Sequence, residues 1–207
     1  MNTSTPTSRL LRIDASARTD GSHSRRVGDI VEAQWRRAHP HGERVHRELA
    51  LAAPTHLAQA TITGFNTPPE QLTPALREAT ALSDALVSEV RRADTLLIAA
   101  PMYNFGAPSA LKAWVDQIVR AGHTFQFGAD GPRGLLQTRL AVLALVCGVP
   151  GALGSPVDFL SPHLEAVLRF IGVQRVVTLH VGGTAGPAEP VQAAMATAER
   201  DARGLFA

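Results

Sequence analysis

The chain of 207 residues has one cysteine, Cys147, and one lysine, Lys112. A lone cysteine excludes a disulfide framework and a cysteine-based metal site within one subunit. Aromatic residues make up 5% of the chain, charged residues 18%, and the formal net charge is only +2. Its arginines are scattered, so Arg25-Arg26, Arg36-Arg37 and Arg91-Arg92 read as solvated helix faces and a nucleic-acid partner gains little support. There is no Gly-x-Gly-x-x-Gly fingerprint in the first turn, no Walker A motif and no Gly-x-Ser-x-Gly elbow, which argues against dinucleotide-fold, P-loop and serine-hydrolase readings. The uncharged run from Leu140 to Val157 is broken by Pro150, Pro156 and three glycines and is short for a bilayer, so it reads as a buried fourth strand followed by a loop. His39 and His41 flank Pro40 without an acidic or cysteine partner at ligand spacing, and His46 and His56 stand isolated, so no zinc site is expected. Met1 to Ser8 is polar, with neither a charged n-region nor an apolar h-region. It reads as a loose tail on a cytoplasmic protein, with 9–207 forming one domain.

What the chain does have is a set of apolar strands that hand over to helices through small, polar loops. Thr95 to Ala100 is a buried strand. Ser109 to Arg120 is an amphipathic helix, with Leu111, Trp114, Val115, Ile118 and Val119 on one stripe. Between them lies Pro101-Met102-Tyr103-Asn104-Phe105-Gly106-Ala107-Pro108. Two aromatics, an amide and a thioether between prolines suit a flat heteroaromatic ring, which points to a flavin; the plainer reading is a loop whose aromatics cap the core.

The first strand, Leu10 to Ala15, ends in Ser16-Ala17-Arg18-Thr19-Asp20-Gly21-Ser22-His23-Ser24. A helix follows, carrying Val27, Ile30, Val31 and Trp35 on one face. Ser22 or Ser24 is a natural N-cap, and the free N–H groups and positive end of a helix favour a phosphate there. The alternative is that these serines only cap the helix.

Val45 to Leu49 reads as a second strand and Leu51 to Leu72 as a long loop, followed by a helix from Thr73 to Arg92 with Thr73-Pro74 as cap and first turn. After the fourth strand come a helix from Val157 to Phe170, a strand from Arg175 to Val181 and a helix from Pro187 to Arg203. Strands alternating with helices predict an α/β doubly wound, five-stranded parallel sheet of order 2-1-3-4-5 with helices on both faces. In that order the first and third strands are neighbours, and their loops meet at the switch point where FMN sits in flavodoxin-like folds.

The order Ala15-Ser16, Ser22-His23-Ser24, Ala100 to Phe105, Pro108-Ser109-Ala110-Leu111-Lys112, Arg120-Ala121-Gly122 and Thr124-Phe125 resembles the FMN-dependent NADH:quinone oxidoreductases, also called azoreductases. Leu82-Ser83-Asp84, Asp130-Gly131-Pro132 with Gly134-Leu135-Leu136, and Phe170-Ile171-Gly172-Val173 extend the resemblance over nearly the whole chain. The Met-Tyr-Asn-Phe block with its Pro-Ser-x-Leu-Lys helix start is the specific part.

The resemblance implies an enzyme that takes a hydride from NADH or NADPH at the flavin N5 and passes two electrons to a quinone or an azo dye in a ping-pong cycle. It assigns Ser16, Ser22, His23 and Ser24 to the phosphate, and Pro101, Met102, Tyr103, Asn104 and Phe105 to the ring, with backbone donors near N5 and O4. A phosphate nearby would favour the charged form of His23. The family's Ser-x-Gly-Gly turn after the fourth strand is replaced here by Val146-Cys147-Gly148-Val149-Pro150-Gly151, which leaves Cys147 and Gly148 as candidates for the ring's pyrimidine edge. Phe125 and Phe127 either line the acceptor pocket or pack an interface with the second subunit of a homodimer. Leu51 to Leu72 and Gly122 to Gly134 are expected near that interface. No Asp or Arg stands in a recognisable ribose-reading motif, so the sequence does not choose between NADH and NADPH. A flavodoxin-type electron carrier is the competing class, although such carriers are usually strongly acidic around the flavin.

Overall fold

The computed structural model describes residues 8–206. Most of the expected tail, residues 1–7, lies outside the described residues; the carbonyl of Ser8 accepts the Glu43 N–H at 2.9 Å. The chain runs β1 (Arg9–Asp14), α1 (His23–Ala38), β2 (Glu43–Glu48), α2 (Gln59–Phe65), a 3-10 turn (Pro69–Gln71), α3 (Pro74–Arg92), β3 (Thr95–Pro101), α4 (Ser109–Ile118), β4 (Phe125–Gly128), β5 (Gly131–Gly134), β6 (Leu140–Val146), α5 (Ser161–Phe170), β7 (Arg175–Val181) and α6 (Ala188–Ala202).

Five parallel strands form one sheet in the order β2-β1-β3-β6-β7. The side-chain period of two divides each central strand between two cores. Leu96, Ile98 and Ala100 of β3 face a core shared with Leu86 and Val90 of α3, Leu111 and Trp114 of α4, and Leu164 and Leu168 of α5. Leu97 and Ala99 face the other side, with Val27, Val31 and Trp35 of α1 and Val191 and Met195 of α6. After β1 the chain crosses over α1 to one side of the sheet, and after β3 it crosses over α4 to the other. The β1 and β3 loops are therefore left side by side at the carboxyl ends of their strands, the place where open α/β sheets form a crevice.

Counted within the sheet the order is the expected 2-1-3-4-5; in chain numbering it becomes 2-1-3-6-7, because two further strands that the sequence does not announce, β4 and β5, stand outside the main sheet as an antiparallel hairpin. The run from Gly122 to Gly134 holds no apolar alternation long enough to announce it. A tight contact anchors it: a Cβ on Gly134 would lie 2.2 Å from the backbone nitrogen of Gly172, itself at φ +105°.

The run from Leu51 to Leu72 is likewise not plain loop. Within it α2 is short and has no apolar stripe, and it forms by docking on α3, with Thr61 and Gly64 buried. A Cβ on Gly64 would come within 2.5 Å of Thr80 Cγ2. The buried Arg120 guanidinium lies 4.4 Å from the Phe65 ring and bonds Asp84 and Ser83 Oγ, pinning this region from below.

Helix α5 begins at Ser161 rather than Val157. The Asp158 carboxylate accepts the N–H groups of Leu160 and Ser161 and the Ser161 hydroxyl, so the chain turns there before it winds. These bonds outweigh the burial that alone would raise the Asp158 carboxyl, and hold it below its ordinary value. Thr73 caps α3 as expected, accepting the Leu76 N–H. Among the described residues no helix is long and apolar enough to cross a membrane.

Candidate active site

A cleft of about 350 Å³ opens at the carboxyl edge of the sheet. From the β1 side it is lined by Ser16, Arg18, Gly21, Ser22, His23 and Ser24, and from β3 by Pro101, Met102 and Tyr103. Val146 at the end of β6 and Gly148 after it, with Thr184 and Ala185 after β7, close the far side.

The β1 loop has the chemistry of an anion site. Ser22 takes the N-cap position of α1, and its Oγ lies 3.1 Å from Ser24 Oγ. The N–H groups of His23 and Ser24 find no acceptor among the described residues, as expected at a helix start, where the macrodipole adds positive potential. Arg18 makes no ion pair among the described residues. In the chain without a bound phosphate, burial, then Arg26 and Arg18, push the His23 pKa below the ordinary 6.5.

The β3 loop is built differently. Met102 is buried and its N–H bonds the Val146 carbonyl at 2.7 Å. The next four residues close a tight turn, with Tyr103 N–H to Gly106 O at 3.1 Å and Gly106 N–H to Tyr103 O at 2.9 Å. Asn104 and Phe105 occupy its centre at φ +47° and +70°. These are the φ signs of a type I′ turn, which usually takes Asn-Gly. A left-handed phenylalanine costs roughly 1–2 kcal/mol, and strain of this kind collects at functional sites. The turn leaves the Asn104 and Phe105 N–H groups without an acceptor among the described residues. Asn104 and Phe105 stand beside the cleft rather than on its wall. Phe105 is 57% exposed, and its carbonyl accepts the N–H of Phe159, which is 63% exposed.

Cys147 does not line the cleft. Its side chain is buried, its Sγ accepts the Val149 N–H at 3.4 Å, and its carbonyl accepts the N–H and hydroxyl of Thr184. Gly148 does line it, and a Cβ there would sit 3.3 Å from the Ala185 methyl. The turn after β6 is thus stitched to the loop after β7, and Thr184 and Ala185 line the cleft beside Gly148. The sequence reading missed them because β7 is an edge strand with no expected place at a switch point. Phe125 and Phe127 lie away from the cleft on the hairpin. They stack edge to face at 5.4 Å, and Phe125 packs on Phe170 at 4.6 Å.

Beneath the β1 loop lies an ionic network. Buried Asp14 accepts from Arg12 Nε at 3.1 Å and bonds His46 Nε2 at 2.7 Å. His46 is therefore not isolated, as its sequence surroundings imply, because the parallel register sets Arg12 opposite His46 and Asp14 opposite Glu48. Asp14, His46 and Glu48 bring one potential ligand atom each within 4.8 Å of one another. A cation already serves them: Arg25 bonds Glu48, and its Nη1 lies 3.7 Å from Asp14.

Residues 8–205 match the family described as Flavodoxin-like fold. The chain is 49% identical over 171 residues to an FMN-dependent NADH:quinone oxidoreductase of Xanthobacter autotrophicus, covering 81% of this chain and 82% of that one. It is 43% identical over 176 residues to a protein of the same name from Azotobacter vinelandii, covering 85% and 88%. Among solved structures, an FMN-dependent NADH-azoreductase from Bacillus anthracis in complex with FMN superposes with a TM-score of 0.83 at 22% identity, covering 97% of this chain and all of that one, and so shares the fold. With a flavodoxin-like fold along its length and relatives this close over four fifths of it, the chain belongs to the FMN-dependent NADH:quinone oxidoreductase family.

Proposed function

We propose that this protein binds FMN in the cleft, oxidises NADH and reduces quinones, with azo compounds as related acceptors. The observation that carries this reading is the meeting, at one sheet edge, of unpaired N–H donors and hydroxyls at a helix start with an aromatic turn whose own N–H groups are unpaired. The donor set fits the group. Ser16, Ser22, Ser24 and the N–H groups of His23 and Ser24 are suited to a phosphate, and Arg18 offsets its charge. Met102 and Tyr103 give the ring an apolar wall, and Gly148 with Thr184 gives it a polar edge. When bound, FMN supplies the two-electron chemistry; the chain binds it, orients it and keeps water from one face. The Asn104 and Phe105 N–H groups offer fixed donors where negative charge develops.

In this reading residues 9–207 act as one FMN-binding unit in the cytoplasm and pair as a homodimer. Phe127 at 76% exposure and Phe105 and Phe159 beside the cleft are large apolar side chains for a free surface, and a second copy would cover them. Phe125 and Phe127 then wall the acceptor space or the interface.

Mixing purified, FMN-loaded protein with NADH and a simple benzoquinone tests the reading. NADH oxidation that depends on the quinone is expected, whereas a carrier of the flavodoxin type would stay inactive until given a separate reductase. Light scattering at micromolar protein is expected to give a dimer mass, and a monomer with full activity would sink the assembly.

A further inference from the structure

Arg25 lies one residue past the cleft-lining Ser24, yet its side chain turns away from the cleft, under the β1 loop. There it makes a set of bonds no other arginine near the cleft makes. Its Nη2 donates to the Ser16 carbonyl at 2.9 Å and its Nε donates to the Arg18 carbonyl at 3.0 Å. Its other donors grip the Glu48 carboxylate, with Nη2 to Oε1 at 2.7 Å. Glu48 is anchored in turn by the Ala50 N–H at 3.1 Å and by its place at the end of β2, paired with Asp14.

A loop that binds an anion through N–H groups must keep its carbonyl oxygens, which carry partial negative charge, off the anion. In this loop the Ser16 and Arg18 carbonyls are drawn down to one guanidinium, while the Ser22 carbonyl is taken by the Arg26 N–H at 3.2 Å. The planar fork of arginine can serve two carbonyls and a carboxylate at once, which a lysine ammonium on its flexible stem cannot do in the same geometry. Bonding to Glu48 holds the Arg25 charge firmly in place; burial alone would raise the Glu48 carboxyl, and Arg25, the Ala50 N–H and His46 together hold it below its ordinary value.

We propose that Arg25, seated on Glu48, is the positioning residue of the phosphate loop. It withdraws the Ser16 and Arg18 carbonyls from the loop's donor side, which faces the FMN phosphate. Arg25 does not touch the phosphate; it acts through the backbone of the loop. The inference rests on the reading that the phosphate sits between Ser16 and Ser24, and it adds the device that makes this loop selective for a phosphorylated flavin.

The test compares FMN with riboflavin, which lacks the phosphate, by flavin-fluorescence titration of the 207-residue chain freed of flavin. Wild-type protein should prefer FMN strongly. Arg25→Ala should weaken FMN roughly 30-fold or more while riboflavin affinity stays within about 3-fold, since only the phosphate end loses its donors. Arg25→Lys keeps the charge without the fork and should still lose about 10-fold for FMN. Glu48→Gln, which leaves Arg25 in place but loosens its seat, should fall between Arg25→Lys and wild type. If Arg25→Ala does not fold, the other two variants decide.

Wild-type FMN-to-riboflavin preference in Arg25→Lys would overturn the clamp and leave only a field effect. Equal loss of both flavins in the variants would mark a general structural role and overturn it as well. A wild-type chain that binds the two flavins alike would instead remove the phosphate reading itself, and the clamp with it.

Discussion

The two loops that meet at the cleft are held in opposite ways. The β1 loop is fastened from outside, by side chains: Arg25 reaches two of its carbonyls, and Ser22 caps the helix that follows. The β3 turn is fastened from within, by two backbone bonds across four residues, with two left-handed residues at its centre and apolar side chains in the open. Charge and hydrogen bonds give the first loop its shape, so changes of charge should disturb it. Backbone dihedrals give the second its shape, so changes of φ preference should disturb it and loss of a side-chain polar group should not.

The sharpest way to break this contrast is Asn104→Pro against Asn104→Ala. Proline removes the N–H and demands φ near −65° where the chain holds +47°, so flavin reduction by NADH should slow by roughly 10²-fold or FMN should be lost. Alanine keeps the N–H and adds only the modest cost of a left-handed non-glycine, about 1 kcal/mol. Stopped-flow rates for both variants check it; equal losses would mean that the amide side chain carries the role.

Next in size is the double variant Ser22→Ala with Ser24→Ala. Losing hydroxyl donors to a charged group should weaken FMN by roughly 1–3 kcal/mol with the fold intact. Titration of flavin-free protein reads this directly, and unchanged affinity would move the phosphate elsewhere.

Acid should attack the externally fastened loop first. Burial alone would raise Glu32 and Glu48, but Arg12, Arg36 and Arg44 around the first and Arg25 with the Ala50 N–H around the second hold both below the ordinary 4.5. Carboxyls lowered on folding stabilise the fold above that ordinary value, and the contribution is lost as pH falls through their lower folded values. Denaturant midpoints should therefore be level from pH 7 to 5 and drop below about 4.5, less steeply in Glu48→Gln. A flat profile down to pH 3 would show that the network contributes nothing.

The smallest expected effect is a gain. Phe105→Gly removes a side chain that is mostly exposed from a residue at φ +70°. Relief of strain, partly offset by the wider unfolded ensemble, should stabilise the flavin-free protein by a few tenths to about 1 kcal/mol. A lower melting temperature would show that Phe105 packs more than its exposure implies.

Much of this protein was legible along the chain because its signals are local. The handover from Ala100 to Ser109 and the cap at Ser22 announce themselves by apolar runs, prolines and small hydroxyl residues within a few positions of one another. Strand Arg175–Val181 was read to the residue. The β4–β5 hairpin and α2 were not legible, because neither carries a periodic apolar pattern; they exist through contacts with Gly172 and Thr80, far off in sequence. His46 looked solitary for the same reason, and Arg25 looked like one of a pair of surface arginines.

The sequence by itself therefore determined the order of the five sheet strands and the five long helices, the helix start at Ser22 and the aromatic segment that follows β3, since each depends on neighbours a few residues away. Tertiary structure alone decided that Thr184 and Ala185 would close the cleft while Cys147 turned inward, that Asn104 and Phe105 would be forced left-handed, and that Arg25 would reach down to Glu48. Parallel pairing sets residues dozens of positions apart at fixed register, and which side chain then meets a loop carbonyl, a carboxylate or open space is settled by that register and by packing rather than by any local preference.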